Sequence, residues 1–178
     1  AAAAAAAAED ASAAQPPAVI DTHTHFYDPT RADGVPWPTA EEDRLLYRSV
    51  LPDDFMAVAG PCGVTGTVIV EASPRYEDNA WVLEQAERHH CIVGLCGSVQ
   101  PNRPEFAAEI RNLAANPLFR GIRVGAAPAD LAPTSLWWSD LTLMSELDLQ
   151  LDVIVQPPTL EGYAPFIELA QRTPSLRI

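Results

Sequence analysis

The sequence predicts an α/β fold of the (β/α)8 barrel type, carried through about five βα units and the beginning of a sixth. Three observations lead there. From Gly66 onward, apolar β-branched runs alternate strictly with amphipathic segments, and short connections between them imply βαβ units on a parallel sheet. The units recur every ~25 to 30 residues, close to one-eighth of the roughly 250 residues of such a barrel. No Gly-x-Gly-x-x-Gly follows the first strand, so the alternative, a doubly wound sheet holding a dinucleotide, lacks its phosphate loop. On this reading residues 18–178 are the N-terminal part of a barrel truncated after about five units.

Residues 1–17 open with eight alanines and close on Gln15-Pro16-Pro17. An alanine run with no amphipathic face has nothing to pack against, so a disordered leader is expected. The same composition resembles the small-residue end of an export signal, which leaves a cytoplasmic and an exported protein equally compatible with it.

The first strand is Val19-Ile20-Asp21-Thr22-His23-Thr24-His25, ending before Pro29. Strand side chains alternate, so His23 and His25 share a face, and Asp21 shares it with them. Asp21 either orients an imidazole or caps the strand's start. A polar loop follows, with Asp33-Gly34 as a turn and Pro36-Trp37-Pro38 as a rigid aromatic bracket. Glu41 to about Ala59 reads as helical with a break at Pro52.

Gly66–Glu71 is the second strand and Ile92–Val99 the third, both β-branched or apolar throughout as strands buried on two faces are. Between them Asn79, Val82, Leu83 and Ala86 fall at helical spacing within Glu77–His89. Glu105–Ala115 carries Phe106, Ile110 and Leu113 on one side. Phe119–Val124 is the fourth strand. A helix bearing Leu143, Met144 and Leu147, a fifth strand from Leu149 to Gln156, and a helix marked by Tyr163, Phe166, Ile167 and Ala170 complete the rhythm. Thr173–Ile178 reads as a strand just beginning.

Composition narrows the partners. The net charge of -13 repels nucleic acid and anionic membrane surfaces alike, and no apolar run reaches the roughly 20 residues of a membrane span. A small-molecule substrate is favoured, and nothing in the pattern specifies an oligomeric state. All eleven basic residues are Arg, which removes any Schiff-base or carbamylated lysine chemistry from this stretch. Cys62, Cys91 and Cys96 form no Cys-x-x-Cys pair, and the latter two read as buried fillers beside the third strand. His89 and His90 sit at a helix's carboxyl end, where an imidazolium complements the dipole.

Read together, Asp21-Thr22-His23-Thr24-His25-Phe26-Tyr27-Asp28-Pro29 with Trp37-Pro38, Val68–Ser73, Glu77–Trp81, Ile92-Val93-Gly94, Phe119–Arg123, Leu151–Pro157 and Pro174–Ile178 resemble, in order, the amidohydrolase-2 family. The resemblance is to the branch holding L-fuconolactonase and the 2-pyrone-4,6-dicarboxylate lactonases, and it covers residues 19–178. It implies a (β/α)8 barrel, and an Asp-His pair on a sixth strand and a general-base Asp on an eighth.

The resemblance implies roles for several residues. His23 and His25 are active-site histidines, metal ligands in the zinc-bearing members and polar site residues in the metal-independent pyronedicarboxylate lactonases. Gln156 stands where metal-dependent members often place a His, and a Gln amide is a poor ligand for such an ion. Both a divalent metal such as zinc and a metal-independent reaction therefore stay open. Arg123, at the end of the fourth strand, can clamp a substrate carboxylate or lactone oxygen, or else pair with a carboxylate such as Asp130. Ser73 resembles a substrate-binding Ser. Glu71 is a candidate ligand or water-positioning group. Tyr76, Trp37 and Trp137 are candidate pocket walls or packing residues.

The expected activity is hydrolysis of a lactone, a sugar lactone or related cyclic ester, with water as nucleophile. The alternatives are a zinc-dependent decarboxylase or amidohydrolase of the same family, and an inactive fragment without the C-terminal catalytic Asp.

Overall fold

The computed structural model describes residues 18–125, 132–155 and 158–178. Five strands form one parallel sheet in the order β1-β2-β3-β4-β5: β1 Ile20–Thr24, β2 Gly66–Val70, β3 Ile92–Gly97, β4 Phe119–Val124 and β5 Gln150–Val153. Each strand pairs in parallel with the next in sequence. Helices α1 Pro52–Ala59, α2 Asp78–Arg88, α3 Phe106–Ala114, α4 Leu136–Glu146 and α5 Leu160–Arg172 fill the connections. This is the strand and helix order of a (β/α)8 barrel, seen over five units.

The core lies between sheet and helices. Ile69, Leu95, Ile122 and Leu151 alternate outward from successive strands and meet Phe106 and Ile110 of α3, Leu141 and Met144 of α4, and Leu169 of α5, all nearly or wholly buried. Phe106, Ile110 and Leu113 form the buried face of α3, as their i, i+4, i+7 spacing requires. Trp137 also belongs to this core, at 6% exposure.

Two close approaches fix the sheet's neighbours. A Cβ on Gly121 would press into the Gln150 backbone and come within 2.7 Å of its Cγ, so only a glycine lets β4 and β5 approach as they do. Asn79 is buried at the start of α2 and spans to the end of β3. Its Oδ1 accepts from the Ser98 N–H at 2.9 Å, and its Nδ2 donates to Ser98 O at 2.8 Å and Tyr76 O at 2.7 Å.

The structure corrects one long element. Residues 41–49 are turns and irregular backbone, with Leu46 N–H on Asp43 O and Arg48 N–H on Leu46 O, and of this stretch only Pro52–Ala59 is helical. The cause is visible in burial: Leu45 is 91% exposed and Leu46 and Tyr47 are exposed as well, so the segment offers no apolar face to hold a helix against the sheet. Asp54 Oδ2 accepts from the Leu51 N–H and starts the helix where Pro52 fits its first turn. The fifth strand is shorter than expected, ending at Val153 among the described residues, with Gln156 outside them. Beyond α5, Gln150 forms a parallel bridge with Arg177, and Leu151 N–H bonds Arg177 O. A sixth pairing therefore begins on β5.

Candidate active site

The carboxyl ends of β1, β2 and β4 bring four of the singled-out side chains together. His23 and His25 stand with ring centroids 5.1 Å apart, nearly perpendicular. His25, just past β1, donates from Nδ1 to the Val70 carbonyl at the end of β2, at 2.9 Å. A carbonyl only accepts, so the proton sits on Nδ1 and the neutral ring presents a bare Nε2. Burial lowers the His25 pKa from 6.5, assisted by the charges of Arg123 and His23 and opposed by the Val70 bond. Asp21 spends its Oδ1 on the His23 backbone N–H, 3.0 Å away, and so acts as a cap.

Glu71 follows β2 directly and meets Arg123 from β4. Arg123 donates from Nε and Nη2 to Glu71 Oε1, at 3.1 and 3.0 Å, and from Nη2 to the Glu71 carbonyl. Both side chains are largely buried, at 12% and 20% exposure. Burial pushes the Glu71 carboxyl above its ordinary value, against the pull of the Arg123 charge. The carboxylate expected as an alternative partner, Asp130, lies outside the described residues.

Two interior groups join this cluster, Asp152, which the sequence reading did not mark for the site, and Cys96, read there as a buried filler. Asp152 pairs in register with Arg123 across β4 and β5, and Gln150 Nε2 donates to its Oδ1 at 3.1 Å. Cys96, buried on β3, has its thiol pKa pushed up by burial, then by the charge of Asp152 and a hydrogen bond with it. The signal for Asp152 is a lone acid inside the apolar run Leu151–Val155, since a strand buried on both faces carries a charge only where a partner waits.

The other candidates divide. Trp37 is 37% exposed, with its ring 6.0 Å from His25 and 5.4 Å from Tyr27. Ser73 and Glu71 share a cavity with Trp37, Tyr27, Arg31 and Trp81. Ser73 Oγ also accepts from the Arg75 N–H and shapes the turn after β2. Tyr76 is turned to α3, where its hydroxyl accepts from Asn112 Nδ2 at 2.9 Å. Away from the cluster, His89 Nδ1 bonds Gln85 O at the end of α2.

His23 and His25 supply two nitrogens suited to a divalent ion. Among the described residues no group of three or more His, Cys, Asp and Glu is placed to hold one, and Glu71 is committed to Arg123. The described residues therefore set two imidazoles side by side and do not by themselves complete a metal site. No helix among them is long and apolar enough to cross a membrane.

Known proteins are similar to this chain in sequence and in fold. The chain is 34% identical over 165 residues to an L-fucono-1,5-lactonase of Burkholderia ambifaria, covering 89% of this chain and 54% of that enzyme. Its fold matches that of a Burkholderia multivorans amidohydrolase with bound zinc, with a TM-score of 0.72 at 20% identity, over 89% of this chain and 55% of the other. It also matches a probable 2-pyrone-4,6-dicarboxylic acid hydrolase of Acinetobacter baumannii with citric acid bound, with a TM-score of 0.57 at 19% identity, over 76% of this chain and 48% of the other. The chain thus spans about half the length of these relatives. A model of the amidohydrolase family matches residues 20–178, and the chain belongs to that family.

Proposed function

We propose that this chain carries the His23–His25–Glu71–Arg123 side of the active site of a lactone hydrolase. The observation that carries the reading is the way Arg123 is held. Glu71 takes Nε and Nη2, and Nη1 has no hydrogen-bond partner among the described residues. A guanidinium fixed along one edge, with its Nη1 taken by no described residue, is a preorganised donor for developing negative charge. The similarity to a sugar lactonase supports a sugar lactone or related cyclic ester as substrate.

The chemistry then follows from the groups present. Water adds to the lactone carbonyl carbon, and charge builds on the carbonyl oxygen as the tetrahedral intermediate forms. Arg123 Nη1 faces that oxygen. Neutral His25, with Nδ1 pinned to Val70, offers Nε2 to hold the attacking water or take its proton. The ring C–O bond breaks, the alcohol oxygen takes up a proton, and the product carboxylate stays paired with Arg123 until it leaves. Trp37 and Ser73 line the approach, one as an apolar wall and one as a hydrogen-bonding group.

The test is proton release from a panel of sugar lactones and pyrone dicarboxylates. Turnover that survives both Arg123→Ala and His25→Ala at wild-type rate removes these residues from the reaction.

A second reading is favoured by the His25 tautomer. With Nδ1 donated to a backbone carbonyl, Nε2 is oriented as metal-binding imidazoles commonly are, and His23 and His25 would be two donors to a divalent ion acting as Lewis acid. Element analysis of protein purified without chelator decides it. An ion near one per chain that falls on His25→Ala supports this reading, and full activity in chelated, metal-free protein overturns it.

A further inference from the structure

The loop between β1 and α1 carries Trp37, and its far side is tied to the first turn of α2 by one side chain. Arg31 Nη2 donates to Asp78 Oδ1 at 2.6 Å, and its guanidinium lies over the Trp81 ring, 4.8 Å from the centroid. Asp78 is 8% exposed, and its Oδ2 is buried with no hydrogen-bond partner among the described residues. Among the described residues, Arg31 is the side-chain partner of the Asp78 carboxylate. A buried carboxylate with one partner makes that partner's position stringent, because every other placement of Arg31 leaves an uncompensated charge. Arg75 adds a weaker tie from Nη1 to Asp33 O, 2.8 Å.

The same loop is fixed at its start. Asp28 Oδ1 accepts from the Thr30 N–H, the Thr30 hydroxyl and the Ser49 hydroxyl, and Tyr27 pairs with Val50. Between Arg31 and Val50 the loop holds Trp37 against His25 and Tyr27. Arg31, Trp37, Glu71 and Ser73 bound one cavity.

We propose that Arg31 is a positioning residue, which by pairing with Asp78 and lying on Trp81 holds the β1–α1 loop so that Trp37 stands beside His25 as a wall of the substrate pocket. The proposal rests on the active-site reading above for its consequence in catalysis, and on geometry alone for the placement of Trp37. Arg31 touches none of the reacting groups. Its effect is on substrate fit, which belongs in KM, while Arg123 and His25 keep their places and kcat is held.

The full-length protein labelled with 5-fluorotryptophan gives one fluorine resonance for each of Trp37, Trp81, Trp137 and Trp138, assigned by Trp→Phe variants. In Arg31→Ala the Trp37 and Trp81 resonances are expected to move or broaden while those of Trp137 and Trp138, in and against the core, stay. Arg31→Lys, which keeps a cation for Asp78, restores Trp37 at least in part, and Asp78→Asn, which removes the carboxylate charge and leaves Arg31 in place without its ionic partner, reproduces the Trp37 shift. For lactone turnover, KM rises about tenfold in Arg31→Ala with kcat within about twofold. The proposal is overturned by a Trp37 resonance unchanged in both Arg31→Ala and Asp78→Asn, or by all four resonances moving together, which marks a general loss of structure. The fluorine result stands even where no lactone is turned over, so failure of the catalytic reading and failure of this one are distinguishable.

Discussion

Arg123 directs Nε and Nη2 at a single oxygen of Glu71, 3.1 and 3.0 Å away, across the ends of β4 and β2. Two strands that are not neighbours are thereby joined above β3 by an ion pair that is mostly out of solvent. A pair in that position is costly to break, since either partner alone is a buried charge, and its geometry dictates which edge of the guanidinium is available.

Replacing Arg123 tests that edge. Arg123→Ala is expected to lower kcat/KM for a lactone by about 10² to 10³-fold, the range for loss of a charge-stabilising donor. Arg123→Lys keeps a charge and loses the planar fork, so it should fall between wild type and Ala. Steady-state rates on the same lactone decide this, and an Ala variant within threefold of wild type would remove Arg123 from the chemistry.

His25 gives the pH dependence. Burial lowers its folded pKa below 6.5, so between those two values the unfolded chain holds more protons than the folded one. Stability therefore rises with pH through that window and is lost as pH falls through 6.5 toward the folded value. His25→Asn, whose amide can still donate to Val70 O, should flatten this acid-side loss. Urea midpoints from pH 7.5 to pH 5 measure it, and identical slopes for the two proteins would contradict the assignment. Activity should fall over the same acid range as Nε2 is protonated.

Asn79 joins α2 to the end of β3 through three hydrogen bonds. Asn79→Ala removes the side-chain partner of the Ser98 N–H and Ser98 O, while Tyr76 O keeps the Asn79 backbone N–H, and is expected to destabilise by about 2 to 3 kcal/mol. Asn79→Asp keeps the acceptor for Ser98 but turns a carboxylate oxygen toward Ser98 O and Tyr76 O, so it should be worse than Ala above pH 5. Denaturation of the three proteins side by side ranks them.

Gly121 tests the approach of β4 to β5. A methyl there meets the Gln150 backbone, which cannot move aside as a side chain would. Gly121→Ala is expected to cost about 3 kcal/mol by overpacking. Gly63→Ala, at a turn with open space but φ of +89°, should cost only about 1 kcal/mol from backbone strain. Equal unfolding midpoints for the two would show that the strands can shift.

Much of the fold was legible because its elements are locally consistent. Asn79, Val82 and Ala86 show a helix by spacing, and Phe119–Val124 shows a strand by composition, before any partner is known. The stretch around Leu45 misled because its local propensity is helical while nothing beside it buries the apolar residues. His23, His25, Glu71 and Arg123 could be singled out as polar groups near strand ends, but Glu71 as the partner of Arg123 could not, because the two are 52 positions apart in sequence. Asp78 escaped for a related reason. It looks like an ordinary acid in a helix's first turn, and only the folded loop shows Arg31 arriving from the other side.

The order of the sheet has a consequence for how the chain is made. Because β1 through β5 lie side by side in the order of synthesis, each strand finds its partner in the segment translated just before it. Each closure spans a single connection, the longest pairing Ile20 with Gly66, so among the described strands none waits on a unit beyond the next. A nascent chain can therefore add one βα unit at a time onto an existing edge as it leaves the ribosome. By the same logic, the two halves of the Arg123–Glu71 pair are available to each other only after β4 has emerged, so the polar cluster is assembled late on a sheet already begun.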